Sequence, residues 1–255
     1  MSSTLFESDG HVVRLFSDLA TGEGIQANQL LITHGHHAAL FDPGGDLLYM
    51  PLSMAIAKII PLKQLDYIFA SHQDPDIIAS LDKWLMYTEA KVVTSRLWHR
   101  FIPHFVPGYM SAKGEGRLIG LPDEGKSLPF GDSEIKAVPA HFLHSVGNFH
   151  FYDPISKVLF SGDVGASLVD EEYGRPVRDF DRHVAKMQGF HERYMVSNKV
   201  CRLWANMVRL MDVDMIVPQH GRPFIGQVMV QRFLDWFETV ECGIDRLEQT
   251  AYSVA

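Results

Sequence analysis

Four apolar runs in this chain each end by delivering histidine or aspartate into a loop, and that recurrence limits the fold more than any other feature. Leu65-Asp66-Tyr67-Ile68-Phe69-Ala70 empties into Ser71-His72-Gln73-Asp74-Pro75-Asp76. Glu134 to Pro139 leads into Ala140-His141-Phe142-Leu143-His144, Val158 to Phe160 into Ser161-Gly162-Asp163, and Met215-Ile216-Val217 into Pro218-Gln219-His220-Gly221. Short apolar, β-branched runs bounded by such residues read as strands. Loops at the ends of strands are where α/β proteins carry their chemistry, so the architecture is expected to bring these four ends together.

The intervening segments agree with an α/β layered chain. Gln29 to Ile32 and Ala38 to Phe41 read as a hairpin across Thr33-His34-Gly35-His36-His37, closed by the turn Asp42-Pro43-Gly44-Gly45. Pro51 to Ile60 reads as a helix stopped by Pro61. Ile77, Ile78, Leu81, Trp84 and Leu85 supply one helical face, with Asp76 positioned to cap its N-terminus. Asp179 to Met211 reads as mostly helical, and a last helix is expected from about Gln227 to Thr250. With 255 residues, 46% of them hydrophobic, one domain over 1–255 can bury its own core. No separate C-terminal cofactor domain is expected.

Charge narrows the partners. Lys and Arg number 23 against 31 Asp and Glu, a net charge of −8, so no general positive field draws the chain to nucleic acid or an anionic membrane. Neither a signal peptide nor an apolar run of membrane-spanning length is visible, and the cytoplasm is the expected compartment. Cys201 and Cys242 lie far apart without a C-x-x-C pair and read as core thiols.

His72, Asp74 and Asp76 alternate over five residues, which suits an irregular loop around a metal better than one face of a helix. One imidazole and two carboxylates suit iron, manganese or zinc. Alone, H-x-D-x-D reads equally as a polar loop with a helix cap. His144, Asp163 and His220 following in order at strand ends favour the metal.

With that ordered set, the chain resembles the metallo-β-lactamase superfamily, whose core is a four-layer αββα sandwich with two metals at one edge of its sheets. The resemblance begins at Asn28-Gln29-Leu30-Leu31-Ile32 and Phe41-Asp42-Pro43-Gly44 and spans nearly the whole chain. Most superfamily hydrolases carry H-x-H-x-D-H. Here His72-Gln73-Asp74-Pro75-Asp76-Ile77 has a carboxylate in place of the second histidine, similar to the H-x-E-x-D of flavodiiron proteins. By that resemblance His72, Asp74 and His144 hold one iron, Asp76 and His220 the other, and Asp163 bridges. Exchanging imidazole for carboxylate hardens the site and favours ferric iron. Asp74 is one methylene shorter than glutamate, and Ile77 cannot ligate, which implies an open coordination position for dioxygen or for another histidine.

The resemblance implies a non-haem di-iron protein that binds dioxygen through diferric-peroxo chemistry. It is similar to stand-alone oxygen sensors linked to a chemotaxis signalling protein; the other use is a dioxygen or nitric oxide reductase fed by a separate flavoprotein or rubredoxin. Without a built-in flavin, sensing is favoured. Relatives often dimerise head to tail, so a homodimer is the expected assembly. The alternative is a binuclear zinc hydrolase attacking a thioester, lactone or phosphodiester with metal-bound hydroxide; Asp74 and Ile77 count against it.

His34, His36 and His37 form either a solvated turn or a set of donors overhanging the site. Asp42 reads as a carboxylate supporting a metal-bound histidine. His141, three residues before His144, could bind metal, but the resemblance favours His144 and leaves His141 a supporting or surface role; His150 reads as a strand packing residue. His99, His104, His183 and His191 read as surface or packing residues, and Tyr152 and Tyr194 receive no catalytic role.

Overall fold

The computed structural model describes residues 2–22, 24–104, 116–169 and 173–254. Its strands fall into two sheets. The first takes β1 (Ser2–Ser8), β2 (His11–Phe16), β3 (Gln29–His34), β4 (His37–Phe41), β5 (Leu65–Phe69), β6 (Lys91–Ser95) and β7 (Leu118–Leu121), in that spatial order. The second holds β8 (Lys126–Phe130), β9 (Ser133–Pro139), β10 (Phe149–Asp153), β11 (Val158–Phe160), β12 (Met215–Val217) and β13 (Phe224–Ile225), ordered β13-β12-β11-β10-β9-β8. Strands such as β3, β4 and β10 are buried along nearly their whole length because both of their faces are covered.

Helices α1 (Asp46–Ala57), α2 (Pro75–Ile78) and α3 (Leu81–Tyr87) cover the first sheet, where Leu52, Ile56, Ile77 and Trp84 pack against Leu40, Ile68 and Val92. Helices α4 (Phe180–Tyr194), α5 (Asn198–Arg209) and α6 (Gln227–Phe237) cover the second, through Met187, Trp204, Phe233 and Phe237 on Leu159 and Ile216. Between the sheets, Phe41 stacks on Phe69 at 4.7 Å, and Phe69 meets Phe151 at 4.7 Å. The four layers are therefore the expected αββα sandwich.

Strand direction explains why the functional ends meet. β4, β5 and β6 are parallel, so their C-terminal ends share one edge. In the second sheet β9 and β11 are both antiparallel to β10, and β12 is parallel to β11, so β9, β11 and β12 also end together. The two edges are tied to each other: the Phe149 N–H donates to the Ser71 carbonyl at 3.0 Å. Asn28 Nδ2 donates to the carbonyls of Pro218 at 2.9 Å and Gly221 at 3.0 Å.

Several helix boundaries differ from expectation. α1 begins at Asp46 and contains Pro51, because buried Leu48 and Tyr49 extend its apolar face a turn ahead of the proline. The expected helix through Ile77 and Leu85 is two short helices, and Ser80 Oγ between them donates to the Gly44 carbonyl at 2.6 Å. Asp76 lies inside the first turn of α2 and makes no capping bond. The segment from 179 to 211 breaks between α4 and α5, and the last helix stops at Phe237, followed by two 3-10 turns. No helix among the described residues is long and apolar enough to cross a membrane.

Phe69→Ala removes a ring from the layer between the sheets and is expected to lower unfolding free energy by about 3–5 kcal/mol. Urea denaturation measures it, with Phe101→Ala, at an exposed position, as the nearly neutral control.

Candidate metal centre

His72, Asp163 and His220 each stand three residues beyond the last residue of their strand, after Phe69, Phe160 and Val217 respectively, and His144 stands five beyond Pro139. Equal overhangs on aligned strand ends put these side chains at one level above the sheets. Asp74 and Asp76 join them from the start of α2.

The contacts fall into two groups that share one residue. Asp163 Oδ2 lies 2.8 Å from His144 Nε2 and 3.4 Å from His72 Nε2. Asp74 Oδ2 lies 3.5 Å from each of the same two nitrogens. One donor atom from each of these four residues falls within 4.8 Å of the others. On the other side, His220 Nε2 is 3.2 Å from Asp76 Oδ2 and 3.6 Å from Asp163 Oδ1. The structure thus brings all six predicted side chains together, with the two oxygens of Asp163 directed to different groups.

His72 and His220 are held by their other nitrogens. Ser71 gives its hydroxyl proton to Asp42 Oδ2 at 2.7 Å and its N–H to Asp42 Oδ1 at 2.8 Å. Its oxygen is then free to accept the His72 Nδ1–H at 2.9 Å, so that Nε2 faces the cluster and offers its lone pair once its proton is displaced. His220 Nδ1–H donates to the Gln26 carbonyl at 2.8 Å with the same outcome. Burial pushes the Asp42 carboxyl up to about 7, although His72 and the Ser71 bonds pull against it.

Electrostatics in the cluster call for added positive charge. Burial disfavours a charged His72, yet the carboxylates of Asp163 and Asp74 outweigh it and raise its pKa to about 10. His220 is raised to about 9 in the same way, against burial, by Asp76 and Asp163. Burial also works against ionised Asp163, and the surrounding His144 and His72 hold it well below the usual carboxylate range. Even so, His72 Nε2 and Asp163 Oδ1 are buried without a hydrogen-bond partner. Three imidazoles and three carboxylates with orphaned lone pairs fit divalent cations of the iron, manganese and zinc type.

A surrounding layer escaped the sequence reading. Gln219 Nε2 donates to Asp76 Oδ2 at 3.2 Å, and Gln73 Nε2 to Asp74 Oδ1 at 3.3 Å, with Gln73 itself held by Ser145 Oγ at 2.6 Å. Both glutamines sit next to a predicted site residue in sequence, the only signal that could have found them. His191, read as a packing residue, positions the Asp163 turn. Its Nε2 accepts the Gly165 N–H at 3.0 Å, and its Nδ1 donates to the Met187 carbonyl at 2.8 Å. Burial lowers its pKa to about 4, which keeps it neutral for that task. Gly162 has φ 49°, and a Cβ there would sit 3.2 Å from Ser71 Oγ, so the turn before Asp163 needs glycine.

His34, His36 and His37 do not overhang the site: β4 runs from His37 toward Asp42, which puts their turn at the opposite edge. There His37 bonds Asp66 at 2.9 Å and His34 bonds Asp132. His141 bonds the Asp123 carbonyl at 2.7 Å and stays outside the cluster. His150 is buried edge-on to Trp204 at 5.2 Å, and burial lowers its pKa to about 3, as for a packing residue. Ile77 is fully buried in the outer apolar layer and turns away from the ligands. A cavity of about 510 Å³ reaches Asp74, Asp76, His144, Asp163 and His220, and Leu47, Phe190 and Tyr194 form part of its wall.

Comparison with known proteins converges on one family. The model of the ODP family beta lactamase matches residues 25–221. Two solved structures cover 98% of this chain and 99% of their own at 37% identity. They are the apo state of chemotaxis sensor ODP from T. denticola, TM-score 0.84, and a peroxy diiron species of chemotaxis sensor ODP, TM-score 0.86. A flavoprotein of Thermotoga maritima has TM-score 0.75 at 19% identity over 93% of this chain and 60% of its own, a likeness of fold. An uncharacterized protein of Methanocaldococcus jannaschii is 23% identical over 88% of this chain. The chain spans only 56% of that relative's length.

The charge balance predicts a pH dependence for the metal-free protein. His72 and His220 have folded pKa values raised to about 10 and about 9, above the ordinary 6.5. Their stabilisation is therefore complete below about pH 6.5 and lost as pH rises through those values. The melting temperature of metal-free protein is expected to fall between about pH 7 and 10. Metal in place of the protons removes that fall, and parallel profiles for the two forms would contradict it.

Proposed function

Because the chain belongs to the ODP family of beta-lactamase-fold proteins, we propose that it is a non-haem di-iron protein that binds dioxygen and serves as an oxygen sensor. One observation carries the reading: Asp163 divides its two oxygens between the His72, Asp74, His144 group and the Asp76, His220 group, as a carboxylate bridging two cations would. The proposed ligands are accordingly His72, Asp74 and His144 for one iron, Asp76 and His220 for the other, and Asp163 for both. Asp74, where an imidazole would suit zinc, favours iron. The 37%-identical solved relative is a chemotaxis sensor with a di-iron species, which supports both the metal and the sensing role.

When bound, a reduced iron pair supplies electrons to dioxygen. The chain's own residues prepare the place for it. Asp42 and Ser71 orient His72, the Gln26 carbonyl orients His220, and His191 holds the turn that carries Asp163. Leu47, Leu48 and Phe190 give the cavity above the ligands an apolar wall, which suits a small neutral ligand better than an ester or phosphodiester. We infer that the sensor acts in the cytoplasm as a homodimer and passes its state to a signalling protein. Turnover as a reductase would require electrons from a flavoprotein or rubredoxin.

Protein loaded anaerobically with ferrous iron is expected to take up dioxygen stoichiometrically and to develop a visible absorption band that persists without an electron donor. Asp163→Asn is expected to lose iron and the band while keeping its far-ultraviolet spectrum. Absence of both uptake and band, together with retained zinc and ester hydrolysis, would replace this reading with a binuclear zinc hydrolase.

A further inference from the structure

At the edge of the sandwich opposite the six-residue cluster, His11 of β2 and His34 of β3 are direct cross-strand partners. Opposed residues in an antiparallel ladder hold their Cβ atoms about 4.5–5.5 Å apart. Here the two Nδ1 atoms approach to 3.3 Å. Behind each ring, Nε2 meets a carboxylate. His11 Nε2 is 2.7 Å from Asp153 Oδ2, both residues being buried, and His34 Nε2 bonds Asp132. Asp153 also accepts from the Ser156 hydroxyl and N–H, which holds it as an acceptor.

An ionised carboxylate only accepts, so each Nε2 carries its ring's proton. A neutral imidazole protonated at Nε2 presents a lone pair at Nδ1. The 3.3 Å approach is then a meeting of two lone pairs, which repel unless a cation joins them. Gly131, at φ 65°, is what lets His34 take this place, since a Cβ there would fall 2.7 Å from the His34 ring. A cavity of about 430 Å³, lined by both histidines with Phe6, Ser8 and Asp9, gives access from solvent.

We propose that His11 and His34 form a second divalent-cation site, suited to zinc and separate from the six-residue centre. With Zn–N bonds of about 2.1 Å, the observed separation corresponds to an N–Zn–N angle of about 105°, near tetrahedral. Both histidines have the carboxylate behind the ring that metal-bound histidines regularly have. Water from the cavity completes the coordination. The histidines belong to the first sheet, whereas Asp153 lies in β10 and Asp132 in the turn between β8 and β9 of the second. The ion itself would join β2 to β3 and, by fixing the rings against Asp153 and Asp132, would brace the contact between the two sheets at the edge away from the dioxygen site.

The test uses the full chain saturated with iron, then exposed to excess zinc and desalted. Metal analysis is expected to find a third metal ion per chain in the unaltered protein and none beyond two in His34→Gln, whose far-ultraviolet spectrum is expected to be unchanged. Zinc should raise the melting temperature of the first and not of the second, and Asp132→Asn should weaken zinc binding roughly tenfold or more. At constant pH, zinc should also shift the Nδ1 resonances of both histidines. Equal metal content in the unaltered and His34→Gln proteins, or resonances that respond to pH and not to zinc, would leave a shared proton as the only occupant and overturn the proposal.

Discussion

A carboxylate buried at the edge where the two sheets end together is the interaction on which the rest of this structure depends. Asp163 lies almost out of solvent, flanked by His72 and His144 on one oxygen and His220 on the other. An unpaired charge in such a place costs several kcal/mol, so its neighbours must be positioned before it can be tolerated. The fold meets that condition through strand direction. Parallel strands in each sheet finish at a common edge, and the Phe149 to Ser71 bond locks one edge to the other. What reaches that edge is a cluster in which His72 and His220 are pinned from behind and turn their Nε2 atoms inward.

Much of this was legible in the sequence because the signal is positional. Strand runs at Leu65, Val158 and Met215 each precede a ligand-type residue by the same overhang, and alignment of strand ends makes equal overhangs converge. Asp42 was also readable as a support for a histidine, though the sequence did not reveal that Ser71 lies between them. His191, Gln73 and Gln219 were not legible as positioning residues. Their roles depend on which main-chain groups and carboxylates the tertiary fold sets beside them. For the hairpin histidines topology decides between the two readings in favour of the turn: a β3–β4 turn must lie at the edge opposite the one where β4 ends. Cys201 and Cys242, correctly read as buried, turn out to be neighbours with sulfurs 3.8 Å apart, a contact 41 positions of sequence conceal.

The two edges of the sandwich use histidine differently. At the ligand edge, neutral acceptors behind His72 and His220 leave lone pairs that converge with carboxylates. At the far edge, carboxylates stand behind the rings, and imidazole lone pairs converge on one another. Substituting a carboxylate for an imidazole at position 74 gives the first edge its hard, anionic character, which suits iron. The pure imidazole pair of the second suits zinc.

The central claim is that Asp163 joins two iron sites of unequal ligand number. A crystal structure of the iron-loaded chain with anomalous scattering measured on both sides of the iron edge tests it most directly. Two iron peaks are expected, one against His72, Asp74 and His144, the other against Asp76 and His220, with one oxygen of Asp163 on each. A single peak, two peaks without iron character, or an Asp163 carboxylate bound wholly to one ion would contradict it.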